Sequence, residues 1–168
     1  MSPEPLDSSS FSEDALDFLA LLSTHQVKYL IVGGEAVIYY GHVRLTGDID
    51  FLYEVSEDNA KKLFGALSDF WDGNIPELGS QEELLKEGLV LQFGLPPNRI
   101  DLISSIGAVE FGEAWERRED VQVFAKEAIT IHFIGLGDLI RNKESAGRPK
   151  DLDDLAYLIP LSRQKRDR

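Results

Sequence analysis

Hydrophobic and polar positions change period several times along this chain, and each change predicts the end of one element. Apolar residues recur at helical spacing over about 13–24 and again over about 57–70. A serine stands at the start of each run: Ser10 lies three residues before Glu13, the spacing of a capping box, and Ser56 immediately precedes the second run. These patterns predict two amphipathic helices in the first half of the chain.

Runs rich in strand-forming residues lie between and after these helices. "KYLIVGG" predicts a strand at 28–33, "EAVIYYG" a short helix that ends at Gly41, and "DIDFLYEV" the next strand, after the loop "HVRLTG". "LVLQFG" and "RIDLIS" predict two strands joined by the proline-rich turn "LPPN", and "VQVFAK" with "AITIHFI" predicts a hairpin.

Further helices are indicated in the second half of the chain. "SQEELLKEG" repeats the capping-box spacing, and "VEFGEAWERRE" has a helical pattern. "LGDLIRNKESAG" and "PKDLDDLAYLI" predict two C-terminal helices, because Gly147 can end the first and Pro149 suits the first turn of the second. Strands interleaved with helices predict an α/β (α+β) fold, a short mixed β-sheet flanked by α-helices.

Length and composition favour one ordinary domain. The 168 residues suffice for a real core, and we expect a flexible polar tail at 1–12, a single domain at 13–160 and a basic tail at 161–168. The absence of cysteine excludes disulfides and thiolate zinc sites and fits a reducing compartment. No apolar run approaches the roughly 20 residues of a membrane helix, and the N-terminus lacks the features of a signal peptide. We therefore expect a cytoplasmic protein without a membrane partner.

The charge is strongly acidic but uneven. The net charge is −13, which disfavours non-specific binding to nucleic acid. Residues 139–168 carry eight basic against five acidic residues, a net +3, so the remainder carries −16. A polyanionic ligand is therefore expected near the C-terminal part.

Gly33 and Gly34 end the first predicted strand, where a helix begins. Glycine lets the backbone approach a ligand closely, and the first turn of a helix offers free N–H groups to a phosphate. Such a pair also occurs as a plain tight turn, so it indicates a phosphate site only together with other features.

Three aspartates lie within predicted strands. Asp48 and Asp50 are one residue apart, so both side chains lie on one face of the strand, about 6.6 Å apart at Cα. Oxygen ligands at this spacing suit Mg²⁺ or Mn²⁺, although a solvated edge strand explains the pair equally well. If the strand of Asp101 lies beside them, Asp101 completes a triad that can bind metal and accept a proton from a hydroxyl; the alternative is an exposed strand residue.

Basic and hydroxyl side chains near these aspartates are candidates for phosphate binding. Arg44 can bind a phosphate bidentately and Thr46 can donate to one, but Arg44 can equally pair with a nearby acid. Lys143, Arg148 and Lys150 either reach the phosphates or the base or pair with acids at the helix junction. The candidate acidic partners there are Asp151, Asp153 and Asp154.

Together, these features resemble the signature of the nucleotidyltransferase (DNA polymerase β-like) superfamily. The signature is a Gly-Gly or Gly-Ser turn, a spacer, an Asp-x-Asp on the next strand and a third carboxylate on a later strand, here within about 28–154. The form "Gly-x-x-Arg-x-Thr-x-Asp-x-Asp", from Gly41 to Asp50, is similar to small bacterial nucleotidyltransferases related to abortive-infection toxins and antibiotic-modifying nucleotidyltransferases. The chain departs from many active members at Gly34, where they carry Ser.

The resemblance implies a site and a reaction. Asp48 and Asp50 would hold Mg²⁺ (or Mn²⁺) ions that bridge the triphosphate, Asp101 would bind the catalytic metal and help deprotonate the acceptor, and Gly33 and Gly34 would hold the triphosphate. An NMP would pass from an NTP to a hydroxyl of a small molecule, a tRNA end or a protein. The alternatives are a non-catalytic nucleotide-binding or interaction module of a toxin–antitoxin pair, with a partner protein, and a plain metal-binding or structural domain.

Overall fold

Seven strands form one mixed sheet in the computed structural model, which describes residues 4–167. The strands are β1 (Leu6–Asp7), β2 (Tyr29–Val32), β3 (Asp48–Tyr53), β4 (Val90–Phe93), β5 (Arg99–Ile103), β6 (Glu119–Phe124) and β7 (Ala128–Phe133). Their order across the sheet is β1-β6-β7-β2-β3-β5-β4. Parallel and antiparallel neighbours alternate, so the predicted mixed sheet is confirmed.

Six α-helices surround this sheet within the described residues. They are α1 (Glu13–Thr24), α2 (Gly33–Tyr39), α3 (Glu57–Phe70), α4 (Phe111–Glu116), α5 (Leu136–Ala146) and α6 (Pro149–Arg166). Ser56 caps α3 as predicted, since its side chain accepts a hydrogen bond from the backbone N–H of Asn59. Gly147 ends α5 in the left-handed conformation, and Pro149 opens α6. The predicted α/β class is confirmed. No helix among residues 4–167 is both long enough and apolar enough to cross a membrane.

The centre of the sheet is buried on both faces, which explains its nearly continuous apolar sequence. All four residues of β2 are buried, and β3 buries its last three residues. Phe18 of α1 packs edge-on against Phe51 of β3, with ring centroids 5.4 Å apart. Tyr53 is also buried, and its hydroxyl donates to the backbone carbonyl of Leu84. The core thus lies under the strand that carries Asp48 and Asp50 and holds it rigidly.

The register of β3 and β5 fixes the positions of the candidate aspartates. The two strands are parallel neighbours, with Asp48 opposite Arg99 and Asp50 opposite Asp101. Opposite residues on neighbouring strands project to the same face. The condition under which Asp101 completes a triad with Asp48 and Asp50, namely that their strands are neighbours, is therefore met.

Two local expectations at helix starts are wrong. The cap of α1 is Ser12 and not Ser10, because the Ser12 hydroxyl accepts from the backbone N–H of Ala15. Ser80 precedes a 3-10 turn (Gln81–Leu85) and accepts no capping hydrogen bond there. In both places the sequence spacing matches a capping box. In the structure, the neighbouring Ser12 caps α1, and a 3-10 turn follows Ser80 instead of an α-helix.

Both expected tails contain regular structure where the structure describes them. Leu6 and Asp7 form β1, which pairs in parallel with β6, and Ser8–Ser10 form a 3-10 turn. Helix α6 continues to Arg166 rather than ending before 161. Residues 1–3 and 168 of the expected tails lie outside the described residues. The division into a single domain at 13–160 stays a prediction.

Candidate active site

Asp48, Asp50 and Asp101 converge on one point at the sheet. Each offers a carboxylate oxygen, and these three atoms lie within 4.8 Å of one another. The cause is the β3–β5 register, which brings side chains more than 50 residues apart in sequence onto one face. Oxygen-only donors at this spacing fit a hard divalent cation such as Mg²⁺ or Mn²⁺. The triad therefore fits a hard divalent cation.

Burial and like charge disfavour ionisation of the central carboxylate. Burial, together with the charges of Asp48 and Asp101, raises the pKa of Asp50 to about 7, while the nearby Arg99 acts in the opposite direction. Glu35, on the first turn of α2, also has a raised pKa, because of its burial and the charge of Asp48. This end of the sheet is therefore an electrostatically strained anionic pocket, which a cation relieves.

Gly33 and Gly34 lie directly against this pocket. Gly33 has φ 63°, and a Cβ at this position would overlap the Asp50 Oδ2 atom. A Cβ at Gly34 would lie 2.7 Å from the Thr46 hydroxyl. The space that a Ser side chain would take at position 34 is thus already occupied by Thr46, whose hydroxyl donates to the Asp48 carbonyl at 3.2 Å. The glycine pair thus contacts the site directly, and a Cβ at either position would force the Asp50 or Thr46 side chain to move.

Arg99 is the basic residue that contacts the triad. Its Nη2 donates to Asp48 Oδ2 at 2.6 Å and to Asp101 Oδ2 at 3.1 Å, and its Nε donates to Asp101 Oδ1 at 2.8 Å. Gln92 on β4 adds a hydrogen bond to Asp101 at 3.3 Å. Sequence reasoning gave neither residue a role. Arg99 was detectable, because it stands two residues before Asp101 and so shares its face of the strand.

Lys143 lies in a buried ion cluster. Its Nζ is 3.0 Å from carboxylate oxygens of both Asp151 and Asp154, and all three side chains are almost fully buried. Arg44 reaches Asp154 at 2.9 Å, and Arg148 donates to Asp151 at 2.7 Å. Although burial opposes it, hydrogen bonds from Arg148 and Lys143 lower the pKa of Asp151 to about 2. The sequence left open whether these cations pair with acids or reach a phosphate. In the structure, Arg44, Lys143 and Arg148 pair with acids of α6.

A cavity of about 400 Å³ connects the triad with this ion cluster, a volume in the usual range for a small-molecule site. All candidate residues line it. These are Gly33, Gly34, Arg44, Thr46, Asp48, Asp50, Asp101 and Lys143. Arg148 and Lys150 line it too. A second cavity of about 250 Å³ meets it at Asp48 and Arg99 and is lined by Ser9, Ser10 and Glu35 among others.

The mixed sheet, the glycine turn and the clustered carboxylates together define the nucleotidyltransferase class. Residues 13–159, most of the chain, match the family described as nucleotidyltransferase of unknown function (DUF6036), and the chain belongs to that family. The resemblance to nucleotidyltransferases is confirmed at this level. The closer kinship with toxins and antibiotic-modifying enzymes stays a prediction. No curated protein matches the chain.

Proposed function

We propose that this chain is a Mg²⁺-dependent enzyme that moves an NMP from an NTP to an acceptor hydroxyl and releases pyrophosphate. The observation that carries the proposal is the triad of Asp48, Asp50 and Asp101, with ligand atoms within 4.8 Å of one another beside a cavity of about 400 Å³. Membership of a nucleotidyltransferase family supports an NTP as the donor. Mn²⁺ has the same ligand preference and is the expected substitute.

The three aspartates would hold the metal and Asp101 would also handle a proton. When bound, the metal would supply positive charge that offsets the carboxylates and polarises the phosphates. The acceptor oxygen would form a bond to the α-phosphorus while the bond from that phosphorus to the pyrophosphate oxygen breaks. Asp101 would accept the hydroxyl proton, and the leaving pyrophosphate would carry away the electron pair. Catalysis would rest mainly on positioning and electrostatics.

The nucleotide would lie between the glycine turn and the C-terminal helices. Gly33 and Gly34 would let the triphosphate approach the backbone, and Thr46 would supply a hydroxyl donor beside them. Arg44 would bind a phosphate while Asp154 holds its guanidinium in place. Lys143 would act through its charge, since its ammonium group is already paired with acids.

The buried ion cluster favours an anion on this side of the cavity. Three cations, Arg44, Lys143 and Arg148, share the two carboxylates of Asp151 and Asp154, which leaves a net positive charge. The triad on the opposite wall is net negative even with Arg99 counted. A metal–triphosphate complex has the matching arrangement of charge, with its cation toward the aspartates and its phosphates toward the cluster.

The acceptor class remains broad. The Gly41–Asp50 motif supports kinship with small bacterial nucleotidyltransferases of the abortive-infection toxin and antibiotic-modifying types, acting in the cytoplasm on a small molecule, a tRNA end or a protein. The net charge of −13 disfavours long nucleic acids among these acceptors.

Calorimetry of NTP binding with and without Mg²⁺ tests this proposal. The wild type is expected to bind an NTP only with the metal, and Asp48→Asn/Asp50→Asn is expected to abolish binding. The matched control is Asp58→Asn/Asp153→Asn, which removes the same charge from two exposed positions. Labelled NMP transfer to candidate acceptors follows, with Asp101→Asn expected to keep NTP binding and lose transfer. A folded wild type that binds no NTP with any metal would contradict the proposal.

A second candidate is a non-catalytic interaction module with a partner protein, as in a toxin–antitoxin pair. The observation in its favour is the loop before Asp48, where Val43 and Leu45 are 92% and 96% exposed beside residues that line the cavity. Contiguous exposed apolar patches mark contact surfaces, and these two side chains would form the centre of such a patch. Metal-dependent NTP binding without transfer to any acceptor would favour this second function.

A further inference from the structure

Arg99 occupies an unusual position for a surface arginine, because its guanidinium lies among carboxylates that fit a metal. Three hydrogen bonds, at 2.6, 2.8 and 3.1 Å, join it to Asp48 and Asp101. The oxygens that accept them belong to two of the three carboxylates of the metal-sized cluster. An ion that coordinates those oxygens must therefore compete with Arg99.

Within the part of the chain that the structure describes, Arg99 is also the sole counter-ion in contact with the triad. Among residues 4–167, no other basic side chain comes within 4.0 Å of a carboxylate oxygen of Asp48, Asp50 or Asp101. Arg44, Lys143 and Arg148, which also line the cavity, are bound to Asp151 and Asp154 instead. One positive charge thus faces a cluster of three carboxyl groups.

The position of Arg99 allows it to change partners. It is the first residue of β5, its side chain is 27% exposed, and it lines both the large and the small cavity. Arginine binds phosphate oxygens with the same planar fork that it uses for carboxylates. A triphosphate in the large cavity therefore offers the guanidinium a new anionic partner close to the first.

We propose that Arg99 is an exchangeable internal cation that occupies the metal-binding oxygens in the ligand-free protein and transfers to the triphosphate when metal and nucleotide enter together. This inference rests on the proposed function and adds a binding order to it, in which the metal binds well only together with the triphosphate. Metal alone binds weakly because Arg99 competes with it. The metal–triphosphate complex binds well because the displaced guanidinium gains a phosphate.

Arg99→Gln tests the exchange, because glutamine keeps a hydrogen-bond donor and removes the charge. Binding of Mn²⁺ alone, followed through the EPR signal of the free ion, is expected to tighten about tenfold, equivalent to about 1.4 kcal/mol. Binding of Mn²⁺ with inorganic tripolyphosphate, followed by calorimetry, is expected to weaken by a similar factor. Arg118→Gln is the matched control, because Arg118 pairs with Asp120 and stacks on Trp115, away from the triad, and should change neither value.

The two opposite shifts separate this role from simpler ones. Weaker binding of both probes would mean that Arg99 only supports the fold, and tighter binding of both would mean that it only blocks the metal; either result overturns the exchange. Arg99→Lys keeps the charge without the fork and provides a second variant if the glutamine variant does not fold. It should leave Mn²⁺ binding close to wild type and weaken tripolyphosphate binding.

Failure of the proposed function gives a different result. If wild-type protein binds no metal–triphosphate complex, the nucleotidyltransferase proposal fails, and the phosphate half of the exchange fails with it. If the wild type binds that complex but Arg99→Gln gains no affinity for Mn²⁺, the enzyme proposal stands and the exchange is refuted.

Discussion

At the scale of single residues, Gly33 shows how closely the backbone and the candidate site fit together. Its φ of 63° is in the left-handed region, and a Cβ there would overlap the Asp50 carboxylate. Two separate penalties therefore oppose any other residue, one from the backbone conformation and one from the collision. Asp50 is one of the three clustered carboxylates, so displacing it also disturbs the triad.

Gly33→Ala is expected to destabilise the protein more than a change that meets the backbone penalty alone. Gly88→Ala is the matched control, because Gly88 has φ 70° and no atom lies within 4 Å of its added Cβ. The control should lose about 1–2 kcal/mol, the usual penalty for a left-handed non-glycine residue. Urea unfolding of both variants gives the difference. Equal losses would show that Asp50 moves aside without penalty and that the contact is unimportant.

Those features of the candidate site that depend on residues close together in the sequence were predictable. The spacing of Asp48 and Asp50 on one strand and the glycine pair before them needed no knowledge of the fold. The roles of Arg44 and Lys143 stayed open because a long basic side chain finds its partner through tertiary structure. Asp151 and Asp154 lie on the buried face of α6, and the helical period separates them from Asp153. That this face meets Lys143 depends on how α5 and α6 pack, which the sequence does not show.

At the scale of elements, the junction of α5 and α6 depends on a buried charge. Lys143, near the end of α5, is paired with Asp151 and Asp154 on the first two turns of α6. Asp151 also accepts from the backbone N–H of Arg148 at 3.1 Å and so caps its own helix. One lysine thus joins two helices that both border the cavity.

Lys143→Met is expected to destabilise the protein by about 3–5 kcal/mol, because it leaves two buried carboxylates without their shared cation. Lys150→Met removes the same charge from an exposed position in α6 and is expected to have little effect. Chemical denaturation of the two variants is the measurement. A small loss for Lys143→Met would mean that Arg44 and Arg148 alone neutralise both acids.

Most elements could be predicted from sequence because their signals are periodic and local. The bounds of α1 and α3 agree with the apolar period, and the hairpin of β6 and β7 follows from two alternating runs. The differences are at element ends. Ser12 caps α1 in place of Ser10, and α6 runs on through Pro160 to Arg166, with Leu161 still packed against the core.

At the scale of the whole molecule, the strand order was beyond sequence reasoning. Neighbours such as β3 and β5 are separated by 45 residues of other structure, and β1 pairs with a strand from the far half of the chain. Such pairings depend on which buried surfaces fit best, and a linear pattern carries no record of them. Leu6 and Asp7 are the clearest case, since they lie in a polar stretch that predicted a tail and they form the edge strand of the sheet.

Removal of residues 1–11 tests what this segment contributes to the whole molecule. Leu6 and Phe11 pack against the core, so the deletion is expected to lower the free energy of unfolding by about 1–3 kcal/mol. Ser12 is retained as the cap of α1. A deletion of residues 1–5, which leaves β1 intact, is the control and should unfold like the full chain.

The deletion of residues 1–11 also tests whether nucleotide binding in the large cavity depends on the small cavity. Ser9, Ser10 and Phe11 line the small cavity and are absent from the wall of the large one. Metal-dependent NTP binding, measured by calorimetry at a temperature where the shortened protein is folded, should therefore be retained. Loss of that binding would mean that the N-terminal segment supports the triad itself, since Asp48 and Arg99 are the residues that the two cavities share.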